Sequence, residues 1–127
     1  MITKPLNVNR MTGYIYEHLE VFPEGMASVV LTKEVLERFQ ATDQLASLVV
    51  SVPGTVEGIL AWSMYVEQED ETFRVHLRSK APTVNDIAQE FGGGGHTLAC
   101  GIPSVTQAQI LEVDAKLKEV VRNFKKD

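Results

Sequence analysis

At 127 residues, with 44% hydrophobic and 23% charged side chains, the chain has the size and composition of one globular domain, which excludes a disordered tail and a fibrous repeat. A net charge of −5 has the wrong sign for gripping long nucleic acid by counterion release. Phosphate binding must then be local, through a few basic side chains and oriented backbone N–H groups. No apolar run nears the roughly 18 residues that span a bilayer, the start lacks a secretory apolar segment, and Cys100 has no second cysteine to pair with, so a reducing, cytoplasmic setting is expected.

Residues 1–13, with Pro5, Asn7 and Asn9, show little periodicity and read as a linker or lead-in segment before a domain over 14–127. Tyr14 to Phe22 is rich in aromatic and β-branched residues and, with Met26 to Thr32 across Pro23-Glu24-Gly25, predicts a β-hairpin. Thr32 is placed to cap a helix from Lys33 to Phe39, and Asp43 to cap a second short helix through Leu48 and Val49. Gly58 to Val66 is apolar on both alternating faces, including Trp62, and predicts a central strand, with Trp62 read as core rather than as a base-stacking platform. The acidic stretch Glu67 to Glu71 predicts a solvated turn. Beyond it, Phe73, Val75 and Leu77 alternate with Arg74, His76 and Arg78, so one face of that strand is core and the other polar. His76 on that face is either a cleft residue or an ordinary solvated histidine.

Val84, Ile87, Ala88 and Phe91 follow helical spacing up to the run Gly92-Gly93-Gly94-Gly95, with Asn85 expected to cap that helix. His96 to Ile102 is read as a second short helix, with Cys100 a small core residue on it rather than a nucleophile. From about Thr106, Ile110, Val113, Leu117, Val120 and Phe124 mark a long closing helix with a basic end. Ser104 with Gln107 and Thr106 with Gln109 both fit a capping box at its start. The sum is an α/β chain with a mixed β-sheet packed with helices.

Consecutive glycines are costly in backbone entropy, and one suffices to end a helix. Four make sense if the backbone lies against a ligand with several N–H groups exposed and a following helix aims its N-terminus there, with His96 reaching a phosphate oxygen. Arg78 and Ser79, at the end of the polar strand row, would add a guanidinium fork suited to phosphate. The competing reading is a flexible turn with a surface histidine.

Together, Val75-His-Leu-Arg-Ser-Lys80 and Val84-Asn-Asp-Ile-Ala-Gln-Glu-Phe-Gly-Gly-Gly-Gly-His-Thr-Leu-Ala-Cys-Gly101 resemble the DHHA1 domain, the C-terminal substrate-binding domain of DHH-family phosphoesterases. The likeness is strongest to the bifunctional oligoribonuclease and pAp phosphatase branch. The resemblance implies a single DHHA1-type domain in which Arg78 and Ser79 contact substrate, Gly92, Gly93, Gly94 and Gly95 cradle a phosphate, and His96 faces the scissile phosphate. It also implies an N-terminal DHH catalytic domain in the same full-length chain, holding Mn2+ on Asp and His residues. This chain has no Asp-His-His triplet, and its histidines, His18, His76 and His96, stand apart. It therefore reads as the substrate half, with no cofactor or metal ligand of its own, inactive by itself, for short RNA or pAp. Other readings are the substrate domain of a cyclic-dinucleotide phosphodiesterase, a tRNA-binding module as in alanyl-tRNA synthetase, or a plain structural or dimerisation domain. No membrane partner is expected, and a homodimer is left open.

Overall fold

The computed structural model describes Thr3 to Lys126. Helix α1 (Leu6–His18) leads into a hairpin of β1 (Glu20–Phe22) and β2 (Met26–Leu31), followed by α2 (Lys33–Arg38), α3 (Asp43–Ala46) and two 3-10 turns. Strands β3 (Ala61–Glu67) and β4 (Phe73–Ser79) follow, then α4 (Asn85–Glu90), β5 (Gly94–Gly95), β6 (Ala99–Val105) and α5 (Gln107–Lys126). The strands form one mixed six-stranded sheet in the order β1-β2-β3-β4-β6-β5, in which only β2 and β3 run parallel. The mixed α/β expectation holds, and β3 is central.

Both faces of β3 are buried because helices cover both sides of this half of the sheet. On one face α4 and α5 pack Val84, Ile87, Ala88, Val113, Leu117 and Val121 onto Tyr65, Phe73, Val75, Leu77, Cys100 and Ile102. On the other, Val8, Met11 and Ile15 of α1, with Leu36 and residues 46–52, cover Val29, Leu31, Met64 and Val66 of β2 and β3. This second layer meets β2 and β3, and on the same face the next strand, β4, carries Arg74, His76 and Arg78. The α1 helix overturns the expectation of irregular chain before Tyr14 and of a strand from Tyr14. Val8, Met11 and Ile15 recur at helical spacing and bury one stripe, which outweighs the turn-forming asparagines and the β-propensity of Tyr14 to Tyr16. Met1 and Ile2, also assigned to the linker, lie outside the described residues.

Elsewhere the local signals are followed. Thr32 Oγ1 accepts from Val35 N at 3.3 Å, and Trp62 is core, its Nε1 donating to Val50 O at 2.7 Å. The capping box belongs to Thr106: its N donates to Gln109 Oε1 at 2.8 Å, and Gln109 N donates back to Thr106 Oγ1 at 3.3 Å. The short helix after residue 42 exists, and Thr42 Oγ1 accepts from Leu45 N. The Asp43 side chain, expected to cap it, lies outside the described residues. A buried polar cluster ties α5 to the sheet, Asp114 Oδ1 accepting from Tyr65 Oη at 2.5 Å and Ser63 Oγ at 2.7 Å.

Candidate phosphate-binding site

The segment after the glycines is a strand, not the short helix expected for His96 to Ile102. Gly94 and Gly95 pair with Gly101 and Cys100, and the chain reverses through His96, Thr97 and Leu98, closed by His96 N donating to Ala99 O at 2.9 Å. A strand forms because Ala99 to Ile102 alternates, with Cys100 and Ile102 inward, and a register shift opposite β4 brings Val105 inward as well. Among the described residues the glycines lead into β5 and β6 and not into a helix, so a phosphate there would meet strand and turn amides rather than a helix dipole.

Three of the glycines have steric reasons inside the fold. Gly92, at φ +89°, ends α4 in a left-handed cap, its N donating to Gln89 O while Gly93 N donates to Ala88 O at 2.7 Å. A Cβ on Gly93 would collide with the Gly101 carbonyl oxygen, and one on Gly95, at φ +137°, would sit 2.8 Å from Cys100 Cα. Gly94 differs: its φ is not in the left-handed region, and a Cβ there would meet no atom within 4 Å. Gly94 is the glycine that internal packing does not require.

The expected site residues converge on one end of the sheet. Arg78 is paired with Ala99, which is hydrogen-bonded across the turn to His96, and Ser79 N donates to Leu98 O at 2.9 Å. His96 is exposed and Arg78 half-buried. Arg78 Nη1 donates to Leu77 O at 3.0 Å and to Cys100 O at 3.2 Å, fixing the guanidinium against β4 and β6; no acceptor among the described residues engages its Nε or Nη2. Ser79 Oγ accepts from Ala81 N at 3.2 Å, which leaves its hydroxyl hydrogen to donate.

Asn85 does not cap α4: the cap residue is Val84, without a side-chain hydrogen bond, and Asn85 Oδ1 is buried with no partner among the described residues. Cys100 lies on a strand and is buried. Burial pushes its thiol up, opposed by the nearby Arg78 guanidinium, which suits a core residue and not a nucleophile. Among the described residues no three His, Cys, Asp or Glu side chains are grouped to hold a metal ion, so these residues do not fit a manganese centre.

The sequence pattern of the DHHA1 domain matches residues 26–123. The chain belongs to the DHHA1 family. Among known relatives of this DHHA1 domain, the probable bifunctional oligoribonuclease and PAP phosphatase NrnA of Streptococcus mutans is 35% identical over 118 residues, covering 93% of this chain and 38% of that protein. The bifunctional oligoribonuclease and PAP phosphatase NrnA of Bacillus subtilis is 42% identical over 96 residues, covering 76% of this chain and 30% of its own. The crystal structure of an exopolyphosphatase-related protein from Bacteroides fragilis superposes with a TM-score of 0.85 at 24% identity, over 98% of this chain and 38% of that one, and speaks for the fold. The DHHA1 chain thus spans about a third of the length of the curated relatives it matches.

Arg74, to which the sequence assigns no role, and His76, open there between cleft residue and solvated histidine, line a concavity of this DHHA1 domain of about 430 Å³ together with Gly92, Gly93, Gly94 and Pro103. The signal was present, since both share the polar row of β4 with Arg78. What the sequence lacked was the position of the glycines, two strands away on the same sheet.

Among the described residues no helix is long and apolar enough to cross a membrane.

Proposed function

We propose that this DHHA1 domain is the substrate-binding half of a cytoplasmic DHH-family phosphoesterase that acts on very short oligoribonucleotides and on pAp. A DHH catalytic domain in the same full-length chain would hold Mn2+ and supply the bond breaking. The residues described here bind and orient. The reading is carried by Gly94, a glycine without an internal steric reason, beside the end of the sheet where Arg78, Ser79 and His96 meet. An ordinary turn needs Gly92, Gly93 and Gly95 but not Gly94. A phosphate lying against the backbone needs all of them.

Arg78 is held with its planar fork edge available, a geometry that suits two oxygens of one phosphate. The Ser79 hydroxyl and the His96 ring add donors, and half-buried Arg78 is less screened than an exposed cation would be. The NrnA relatives, named bifunctional oligoribonuclease and PAP phosphatase, support short RNA and pAp as the substrate class.

The test is an NMR titration of the labelled chain with pAp, with a cyclic dinucleotide in parallel. Shifts at the amides of Arg78, Ser79 and Gly94 to His96, abolished in Gly94→Val while the fold is kept, are the expected result. Equal pAp binding by Gly94→Val and wild type would reduce the glycine run to a structural turn. Tighter binding of the cyclic dinucleotide than of pAp would move the substrate to that class.

A further inference from the structure

One face of the sheet carries a trough beside β4, where among the described residues the helical layer packs on β2 and β3. Its bank is the polar row of β4, Arg74, His76 and Arg78; its floor is the small residues of β6 and β5 that face the same way. Arg78 stands opposite Ala99, and His76 opposite Gly101, which is in turn opposite Gly94, so the row running outward from His76 is two glycines of bare backbone. Arg74 is exposed and sits where a register shift between Phe73 and Val75 breaks the pairing with β6, a bulge of the kind that re-aims a side chain. It joins His76 in lining the concavity over Gly92, Gly93 and Gly94.

Side chains two apart on a strand repeat at roughly 6.8 Å, close to the separation of successive phosphates in an extended single strand. A row of Arg, His and Arg at that period, beside a floor too low to obstruct a sugar or base, matches a short polyanion laid along β4. A single phosphate fills only the Arg78 end. The row would have no such match if the strand alternated Arg with Asp or Glu, or if β6 carried large side chains at Ala99 and Gly101.

We propose that β4 is a stepped phosphate track, in which Arg78 takes the first phosphate, His76 the second and Arg74 the third of a short single-stranded oligonucleotide. This rests on the substrate-binding reading above and adds to it which residues sense substrate length. His76 and Arg74 are then specificity-determining positions. Each donates to a phosphate oxygen, His76 through a ring N–H and Arg74 through its guanidinium fork. The net charge of −5 is compatible with this, because the track uses only the side chains of one strand row and needs no positive charge on the chain as a whole.

The experiment measures dissociation constants of the chain for AMP, pAp and pApApA, with one, two and three phosphates, for wild type, His76→Gln and Arg74→Gln. The track predicts that His76→Gln weakens pAp and pApApA by about tenfold and leaves AMP within twofold, while Arg74→Gln weakens only pApApA, again by about tenfold. Equal affinities of wild type for AMP, pAp and pApApA, or losses that are the same for all ligands, would overturn it while leaving the Arg78, Ser79 and His96 site intact. If AMP gives no shift at Arg78 or His96 yet pApApA binds and loses affinity in Arg74→Gln, the track stands and the single-phosphate site fails. Binding of none of the ligands overturns both. Thermal melts of the variants check that the fold survives, above all for half-buried His76, which stands opposite Met64 of the second core layer.

Discussion

Gly93 and Gly94 are neighbours with opposite reasons to lack a side chain. An alanine at Gly93 would drive its Cβ into the Gly101 carbonyl, backbone that has nowhere to go. Gly93→Ala is expected to cost about 3 kcal/mol, read as a melting-point drop on the order of 10 °C. Gly94→Ala, with open space around its Cβ, is expected to melt within a few degrees of wild type while losing affinity for phosphate. A Gly94→Ala protein that unfolds like Gly93→Ala would remove the argument for a ligand at Gly94. Arg78 is a poorer probe than His96, since Arg78→Ala also strips hydrogen bonds from the Leu77 and Cys100 carbonyls, whereas exposed His96 has no such structural duty. At Cys100, 5% exposed with its thiol pushed up by burial, a thiol reagent at pH 8 should react slowly with the folded chain and promptly after denaturation. Fast labelling in the native state would put Cys100 outside the core.

At the scale of elements, the closing helix is capped at its start and tied to the sheet at its middle. The Thr106 and Gln109 reciprocal bonds satisfy donors at the helix start, and Thr106→Ala should cost about 1 kcal/mol in urea unfolding. Further along, Asp114 takes hydrogen bonds from Tyr65 and Ser63 beneath α5. Burial, then the Asp114 charge, holds the Tyr65 hydroxyl far above its ordinary value, so the folded state keeps that proton when the unfolded chain releases it. The stability this contributes is complete below the unfolded tyrosine value of about 10 and falls as pH rises beyond it. Alkaline unfolding followed by circular dichroism should therefore steepen above pH ~10, and Tyr65→Phe should flatten that limb while lowering stability at pH 7 by roughly 1.5–3 kcal/mol. An unchanged alkaline limb in Tyr65→Phe would show that other groups set it.

The whole molecule is a sheet covered on one face by α4 and α5, and on the other by α1 and α2 over β2 and β3. That uneven cover leaves the polar row of β4 accessible while the core stays closed. A chain of net charge −5 that binds through a strand row with two arginines should show a shallow salt dependence, a slope of log affinity against log salt of about −1.4 for a three-phosphate ligand. A slope several times steeper, measured by titration at increasing potassium chloride, would mean a broad electrostatic footprint and argue against a local site.

Much of this was legible in the sequence because it depends on near neighbours. The two-sided apolar run of β3, the alternation of β4, the caps of Thr32 and Thr106, and the Arg78-Ser79-Lys80 and Gly92 to His96 runs are all statements about residues within a few positions of one another. Where the sequence misled, competing local patterns were close in energy. Leu6 to His18 carries both turn formers and a helical stripe, and Ala99 to Val105 can be spaced for a helix or a strand; the partner surface each one met decided. Only the tertiary structure could show that β5 lies two strands from β4, because β6 arrives between them from later in the chain. That pairing sets Gly94 across Gly101 from His76, and it separates the glycines that packing demands from the one it does not.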